Sequence, residues 1–334
     1  MSIVVRQAGL QTTVQDLGRL SWQHLGVPVG GAMDSHAHRI ANRLVGNDDA
    51  HAALECVLGG VALQFAANQL FSLAGHHITA SLDGTPVPPW HAVRATEGAL
   101  LVIHNGGRTT IAIGGGIDVP MVLGARGTSL RAGFGGWQGR ALRRDDVLPI
   151  GPPSALTTRI AASLDQRASV IANWGAAPSL RPPYATTPTV RFIEGPEFAL
   201  LSDASRQRLL GDTFRIAPDS DRMGFRLSGH TLSLDSPREM LSSGVTAGTI
   251  QLPPGGAPIV LMADRQTTGG YPRLGDVIKV DLPLMAQLRP GDSVRFTRTT
   301  LDDAHRLLRQ RETDLVTATR AIAIRFPPGS ADAR

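Results

Sequence analysis

Turn-forming residues cut this chain into short pieces. Its 334 residues include 37 glycines and 23 prolines, and the apolar runs between them are strand-length. Residues 1–8 predict a strand, as do Leu54 to Leu63, Leu70 to Leu73, Ala99 to Ile103 and Thr109 to Ile113, each bounded by a glycine-marked turn. Apolar residues make up 42% of the chain and aromatics only 4%, so the cores are built from aliphatic side chains on many short strands. Helical spacing is local. Ala37, Ile40, Ala41 and Leu44 recur at i, i+3, i+4 and i+7 behind a cap at Asp34 or Ser35, and Gly46-Asn47 ends the pattern. Asp203 to Leu210, closed by Gly211, and residues 301–321 predict two more helices.

A chain of this length exceeds one typical domain. Proline clusters from Pro152 to Pro188, around a helix-like patch from Ala161 to Asn173, predict an interdomain connection. The expected organisation is an N-terminal β-rich lobe over 1–150, a connection over 151–188, a second β-rich lobe over 189–300, and a C-terminal helix and tail over 301–334 with a disordered end from Pro327. Loose similarity between Met33-Asp34, Arg39, Leu44, Gly46, Glu55, Gly59 and Asp221-Arg222-Met223, Arg226, Leu227, Gly229, Glu239, Gly244 favours two related lobes.

The formal charge is +5, and Lys279 is the only lysine among 33 basic residues. The arginines are spread without a long basic run or interleaved aromatics, which argues against nucleic-acid binding. No apolar run approaches a membrane span, and the N-terminus reads as a strand rather than a signal peptide, so a cytoplasmic location is expected. The single Cys56 excludes an internal disulfide and any multi-cysteine metal site, and its apolar setting predicts a small buried hydrophobe.

Chemistry concentrates in Asp264-Arg265-Gln266-Thr267-Thr268-Gly269-Gly270-Tyr271-Pro272-Arg273, with an echo in Gln11-Thr12-Thr13-Val14-Gln15-Asp16-Leu17-Gly18-Arg19, about 250 residues away. Asp16 and Asp264 are candidate general bases. Arg19, Arg39, Arg222 and Arg273 are candidates for holding carboxylate or phosphoryl oxygens. Gln11, Thr12, Gln266, Thr267 and Tyr271 suit a small amide or lactam. These segments are expected to meet in a cleft between the lobes. With one lysine the phosphate-binding Gly-x-x-x-x-Gly-Lys loop is excluded, and Gly114-Gly115-Gly116 leads to Ile117-Asp118-Val119-Pro120 rather than to a helix, so it reads as a tight strand exit. His36 and His38 sit two apart on a helix and His76-His77 are adjacent, spacings that predict no metal centre.

The strings Gly9 to Arg19, Gly26-Val27-Pro28, Gly31-Ala32-Met33-Asp34, Ala41 to Asn47, Gly114 to Pro120, Asp221 to Gly224, Gly248 to Pro253 and the 264–273 segment resemble the biotin-dependent carboxyltransferase family, also called allophanate hydrolase subunit 2, which includes the C subunit of bacterial 5-oxoprolinase. The resemblance implies a mainly β fold of two cyclophilin-like barrel lobes with a few short helices. It implies an enzyme that opens 5-oxo-L-proline to L-glutamate with ATP hydrolysis. Such an enzyme acts as a hetero-oligomer with A-type and B-type partner subunits, the ATP and its magnesium held on this chain or on a partner. Two alternatives follow from the same resemblance: a carboxyltransferase acting on urea or a related small amide, and a non-catalytic antagonist of a kinase-inhibitor protein. No biotin is expected on this chain, because Lys279 lacks flanking methionines. The sequence departs from the family at Gly75-His76-His77, where Gly-Ala-Asp is usual, and at Gly124-Ala125-Arg126-Gly127-Thr128, where Gly-Ser-Arg-Ser-Thr is usual.

Overall fold

The computed structural model describes residues 1–166, 170–236 and 240–328. The chain forms two compact units, each assembled from separated segments. Unit 1 comprises Met1–Gly18, Asp34–Arg181 and Glu312–Arg334, and unit 2 comprises Arg19–Met33 and Pro182–Arg311. The division therefore does not follow the linear order expected from composition. Residues 151–181 fold into unit 1, and residues 19–33 belong to unit 2.

Unit 1 carries two six-stranded antiparallel sheets. One runs in the order Val147–Pro149, Ser2–Ala8, Val61–Phe65, Leu100–Asn105, Thr79–Leu82, Thr85–Val87. The other runs Ile171–Gly175, His91–Ala95, Gln69–Ala74, Arg108–Ile113, Ala53–Val57, Gln11–Gln15. The expected strand from Leu54 to Leu63 is thus two strands in different sheets. Leu58, Gly59 and Gly60 all take positive φ between them, and an added Cβ on Gly59 would lie 2.9 Å from the Asn105 backbone, so the reversal requires glycine there. The core beneath the sheets is aliphatic, with Ile3, Val5, Leu54, Leu63, Leu73, Leu101, Ile111 and Ile113 fully buried around the stacked Phe65–Phe71 pair.

Helix α1 (Ser35–Leu44) lies where its apolar spacing predicts, and Ala37, Ile40, Ala41 and Leu44 are all buried. Asp34 caps it, its Oδ1 accepting from Ala37 N at 2.9 Å. Helix α2 (Ala155–Gln166) and the strand Ile171–Gly175 replace the expected helix-like patch and connection. Residues 167–169 lie outside the described residues.

Unit 2 is a closed seven-stranded barrel, ordered Thr189–Glu194, Arg273–Val277, Thr249–Gln251, Ile259–Leu261, Gly224–Ser228, Phe214–Ile216, Ser293–Arg298. The last strand closes on the first in parallel, and the other pairs are antiparallel. Phe192, Phe214 and Phe296 interlock inside it with edge-on rings. Helix α3 (Asp203–Gly211) lies where its pattern predicts and is capped by Ser202, and a short helix α4 (Leu282–Ala286) follows the barrel strand that ends at Val277. Helix α5 (Leu301–Arg325) is 25 residues long, so one helix is not short.

The mainly β class is as expected, with a closed barrel in unit 2 and two six-stranded sheets in unit 1. The residues matched between the two halves do not occupy like elements. Arg39 and Leu44 lie on helix α1, whereas Arg226 and Leu227 lie in a barrel strand, and Glu239 is outside the described residues. The tail from 329 onward is also outside them. Among the described residues no helix is long and apolar enough to cross a membrane.

Candidate functional site

The two Gln-Thr-Thr segments adopt different conformations. In unit 2, Ala263 is followed by a turn, and Thr268–Gly269 then pairs with Ser243–Gly244 in a two-stranded ribbon. In unit 1, Gln11–Gln15 is a regular strand at a sheet edge, not a loop.

The motif of unit 2 is anchored by the pair of Arg222 and Asp264. The guanidinium donates to both carboxylate oxygens, Nε to Oδ2 at 2.8 Å and Nη2 to Oδ1 at 2.9 Å, and Nη2 also reaches the Gly31 carbonyl at 2.6 Å. The backbone ties the same residues together, with Asp264 N on Arg222 O at 2.8 Å and Gly30 N on Ala263 O at 3.1 Å. Arg19 joins them. It is only 1% exposed, its N–H donates to Val29 O at 2.7 Å, and both its Nη1 and Asp264 Oδ1 lie within 4 Å of the position a side chain on Gly30 would occupy. Arg19, Arg222 and Asp264, drawn from three separated stretches of sequence, therefore form one cluster. Both oxygens of Asp264 are employed in the ion pair, so the carboxylate organises the turn that carries Gln266 and Thr267.

Around that turn, Gln266 Nε2 donates to Gln251 Oε1 at 3.3 Å, and Thr267 accepts from Val245 N through its carbonyl. Gln251 is 1% exposed, and its Nε2 has no partner among the described residues. A Cβ on Gly269 would lie 2.5 Å from that nitrogen, so the ribbon approaches it closely because residue 269 is glycine. Tyr271 is 45% exposed and lines a cavity of about 710 Å³ with Leu232, Leu234, Met240, Leu252 and Pro253. Arg273 is bound to its own unit: its backbone N and Nε both donate to Glu197 Oε2, at 2.9 and 3.3 Å.

The remaining sequence candidates lie in unit 1. Thr12 is buried, and its hydroxyl donates to Ala8 O at 2.6 Å. Gln11 begins the same strand and is half-buried. Asp16 accepts from Gly18 N at 2.9 Å and from Arg126 N at 2.5 Å, which shapes the end of the strand and docks the 126–128 segment against it. Beside it, Gln15 donates to Thr13 Oγ1 and Thr128 O, which turns its Oε1 toward Gly127, where it has no partner among the described residues. The departure at Gly127 thus removes a hydroxyl from a position beside Gln15 and Asp16.

Arg39 is fully committed elsewhere. Its Nε donates to Asp49 at 2.7 Å and its two terminal nitrogens to Glu312 at 2.6 and 2.7 Å, so the expected ligand contact is replaced by ion pairs within unit 1, which raise its pKa further. His36 meets the Leu180 carbonyl, and His38 accepts from Asn42. His76 and His77 share one turn with ring centroids 3.9 Å apart.

Two further residues join the site without a signal in the sequence. Gln251 lies in an apolar strand, and Arg265 stands within the motif with nothing to mark its role. Only packing shows that both flank the ribbon formed by Ser243–Gly244 and Thr268–Gly269.

Comparison with known proteins gives this geometry a family. Residues 25–298 match the carboxyltransferase domain, subdomain A and B. The chain is 36% identical over 301 residues to the C subunit of 5-oxoprolinase from Escherichia coli (strain K12), covering 89% of this chain and 91% of that protein. It is 33% identical over 305 residues to the C subunit of 5-oxoprolinase from Haemophilus influenzae, covering 90% and 93%. The crystal structure of the Kluyveromyces lactis urea amidolyase superposes with a TM-score of 0.84 at 25% identity, over 94% of this chain and 20% of that one. On these matches, the chain belongs to the carboxyltransferase-domain family.

Proposed function

We propose that this protein is the C subunit of an ATP-dependent 5-oxoprolinase, a hydrolase that opens 5-oxo-L-proline to L-glutamate together with A-type and B-type partner subunits. The observation that carries the reading is end-to-end agreement with two bacterial proteins of that name, which this chain spans over 91% and 93% of their lengths. The donor-rich turn of unit 2 supports it. A lactam presents one carbonyl oxygen and one N–H, and Gln251, Gln266, Thr267 and Tyr271 supply complementary groups on and around the turn that Asp264 begins. An unstrained amide resists water, so ATP serves to convert the carbonyl oxygen into a leaving group, and cationic donors stabilise the charge that develops. We assign the nucleotide and its magnesium to a partner, since this sequence has no phosphate-cradling lysine loop. Asp264, held by Arg222, is proposed to position the turn, and Gln266, Thr267 and Tyr271 are the proposed substrate contacts.

The test is reconstitution with the A-type and B-type chains at neutral pH, following ATP hydrolysis and glutamate release. Turnover that requires all three chains and 5-oxoproline supports the reading, and ATP hydrolysis without dependence on 5-oxoproline rejects it. A second reading, carboxyl transfer to urea from a carboxybiotin carrier, is favoured by the likeness to the urea amidolyase fold. Carboxylation of urea by this chain with a supplied carrier would select it.

A further inference from the structure

Arg265, a half-buried cation of unit 2, has no acid among the described residues. Arg222 is paired with Asp264, Arg273 with Glu197, and Arg191 with Asp281 through its Nη2 at 2.6 Å. Arg265 is half-buried, yet among the described residues it forms no ion pair. Its Nε reaches the Val245 carbonyl and its Nη1 the Met262 carbonyl, both at a long 3.4 Å. Burial lowers its pKa, and no neighbouring carboxylate offsets that effect. Withdrawing a guanidinium from water without an anion is costly, and proteins tolerate this where a ligand supplies the missing charge.

The surroundings narrow the ligand. Val245, which Arg265 contacts, continues the Ser243–Gly244 strand, and its N–H bonds Thr267 O at 3.1 Å. The buried Gln251 amide, with its unpartnered Nε2, abuts Gly269 on the opposing strand. An amide donor and a guanidinium, neither with a polar or charged partner of its own beyond long carbonyl contacts among the described residues, thus flank the same ribbon.

We propose that Arg265 anchors the carboxylate of a small lactam acid, and that this contact separates such a substrate from a neutral amide such as urea. The inference rests on the functional reading above and deepens it. 5-Oxoproline carries a carboxylate beside its ring amide, and urea carries none, so an unpaired guanidinium has a purpose with the first and only a desolvation cost with the second.

The experiment compares 5-oxoproline with its carboxamide, in which the charge alone is removed, as activators of ATP hydrolysis by the reconstituted complex. The wild-type complex is expected to prefer the acid by roughly 10- to 100-fold in kcat/KM, the range of a charge-assisted hydrogen bond. Arg265→Ala is expected to raise KM for the acid by a similar factor and to leave the carboxamide within about threefold, so that the preference collapses. Arg265→Gln, which keeps a donor for the Met262 carbonyl, is expected to lose the same discrimination, and it serves if the alanine variant does not assemble. Arg265→Lys is expected to recover part of it. Equal losses on both compounds, or an unchanged ratio, overturn the assignment of Arg265 while leaving the enzyme's function standing. A wild-type complex without 5-oxoproline-dependent hydrolysis rejects the functional reading, and this substrate contact with it.

Discussion

Asp264 and Arg222 show how a single pair decides the order of a site. Their side chains are 18% and 8% exposed, so deleting the guanidinium leaves a largely buried carboxylate without its cation. Arg222→Ala is expected to lower stability by about 3 kcal/mol, measured by urea unfolding, and Asp264→Asn by less, because the amide still accepts from Arg222. Cys56 belongs to the opposite kind of residue. It is fully buried, and desolvation pushes its thiol pKa up to about 11. At pH 8 the folded protein is expected to resist a thiol-reactive disulfide reagent, and to consume one equivalent only once denatured. Its burial is legible in the apolar run around it. The partner of Arg222 is not, because Asp264 lies 42 positions away and only the barrel brings the two together.

Among the elements, helix α1 is the most readable. Its apolar face and aspartate cap follow from spacing alone, because helical neighbours are fixed by a local period. The polar face hides more. His38 is buried, and its Nε2 accepts from Asn42 Nδ2 at 3.1 Å, while Asn42 Oδ1 is in turn held by Asn47. Burial holds the His38 pKa below its ordinary 6.5, against the opposing pull of Asp16, Glu55 and Asp49. The unfolded chain therefore takes up a proton below about pH 6.5 that the folded helix resists. Stability is fully present above that pH and falls as pH drops through the window. Unfolding midpoints across pH 5–8 are expected to show this decline, and His38→Gln to flatten it. The Gln11–Gln15 strand reads as a loop in the sequence because its hydroxyls and amides look like turn chemistry. Its burial comes from the sheet on one side and from the 126–128 and Leu142 backbone on the other, since Thr128 N and Leu142 N donate to Val14 O and Thr12 O.

For the whole molecule, the C-terminal residues are part of a core rather than an appendage. From Glu312 onward the chain belongs to unit 1, where Glu312 grips Arg39, the Leu315 carbonyl accepts from Arg43 at 2.6 Å, and Phe326 packs on Trp174 with ring centroids 5.5 Å apart. Leu315, Ile322 and Phe326 are all buried, and each contributes on the order of 2 kcal/mol by burial. A chain ended after Arg311 is therefore expected to lose most of the marginal stability of unit 1, seen as loss of its cooperative melt in circular dichroism and as aggregation. By itself the sequence determined the mainly β class, the capped helices and the turn that holds the Asp264 motif, because these follow from local periods and from the conformational limits of glycine and proline. Tertiary structure alone decided that Arg39 serves Glu312, that Arg273 serves Glu197, and that Arg265 has no acid among the described residues. Charge pairing depends on distance and desolvation, and both are set by packing between residues far apart in the chain.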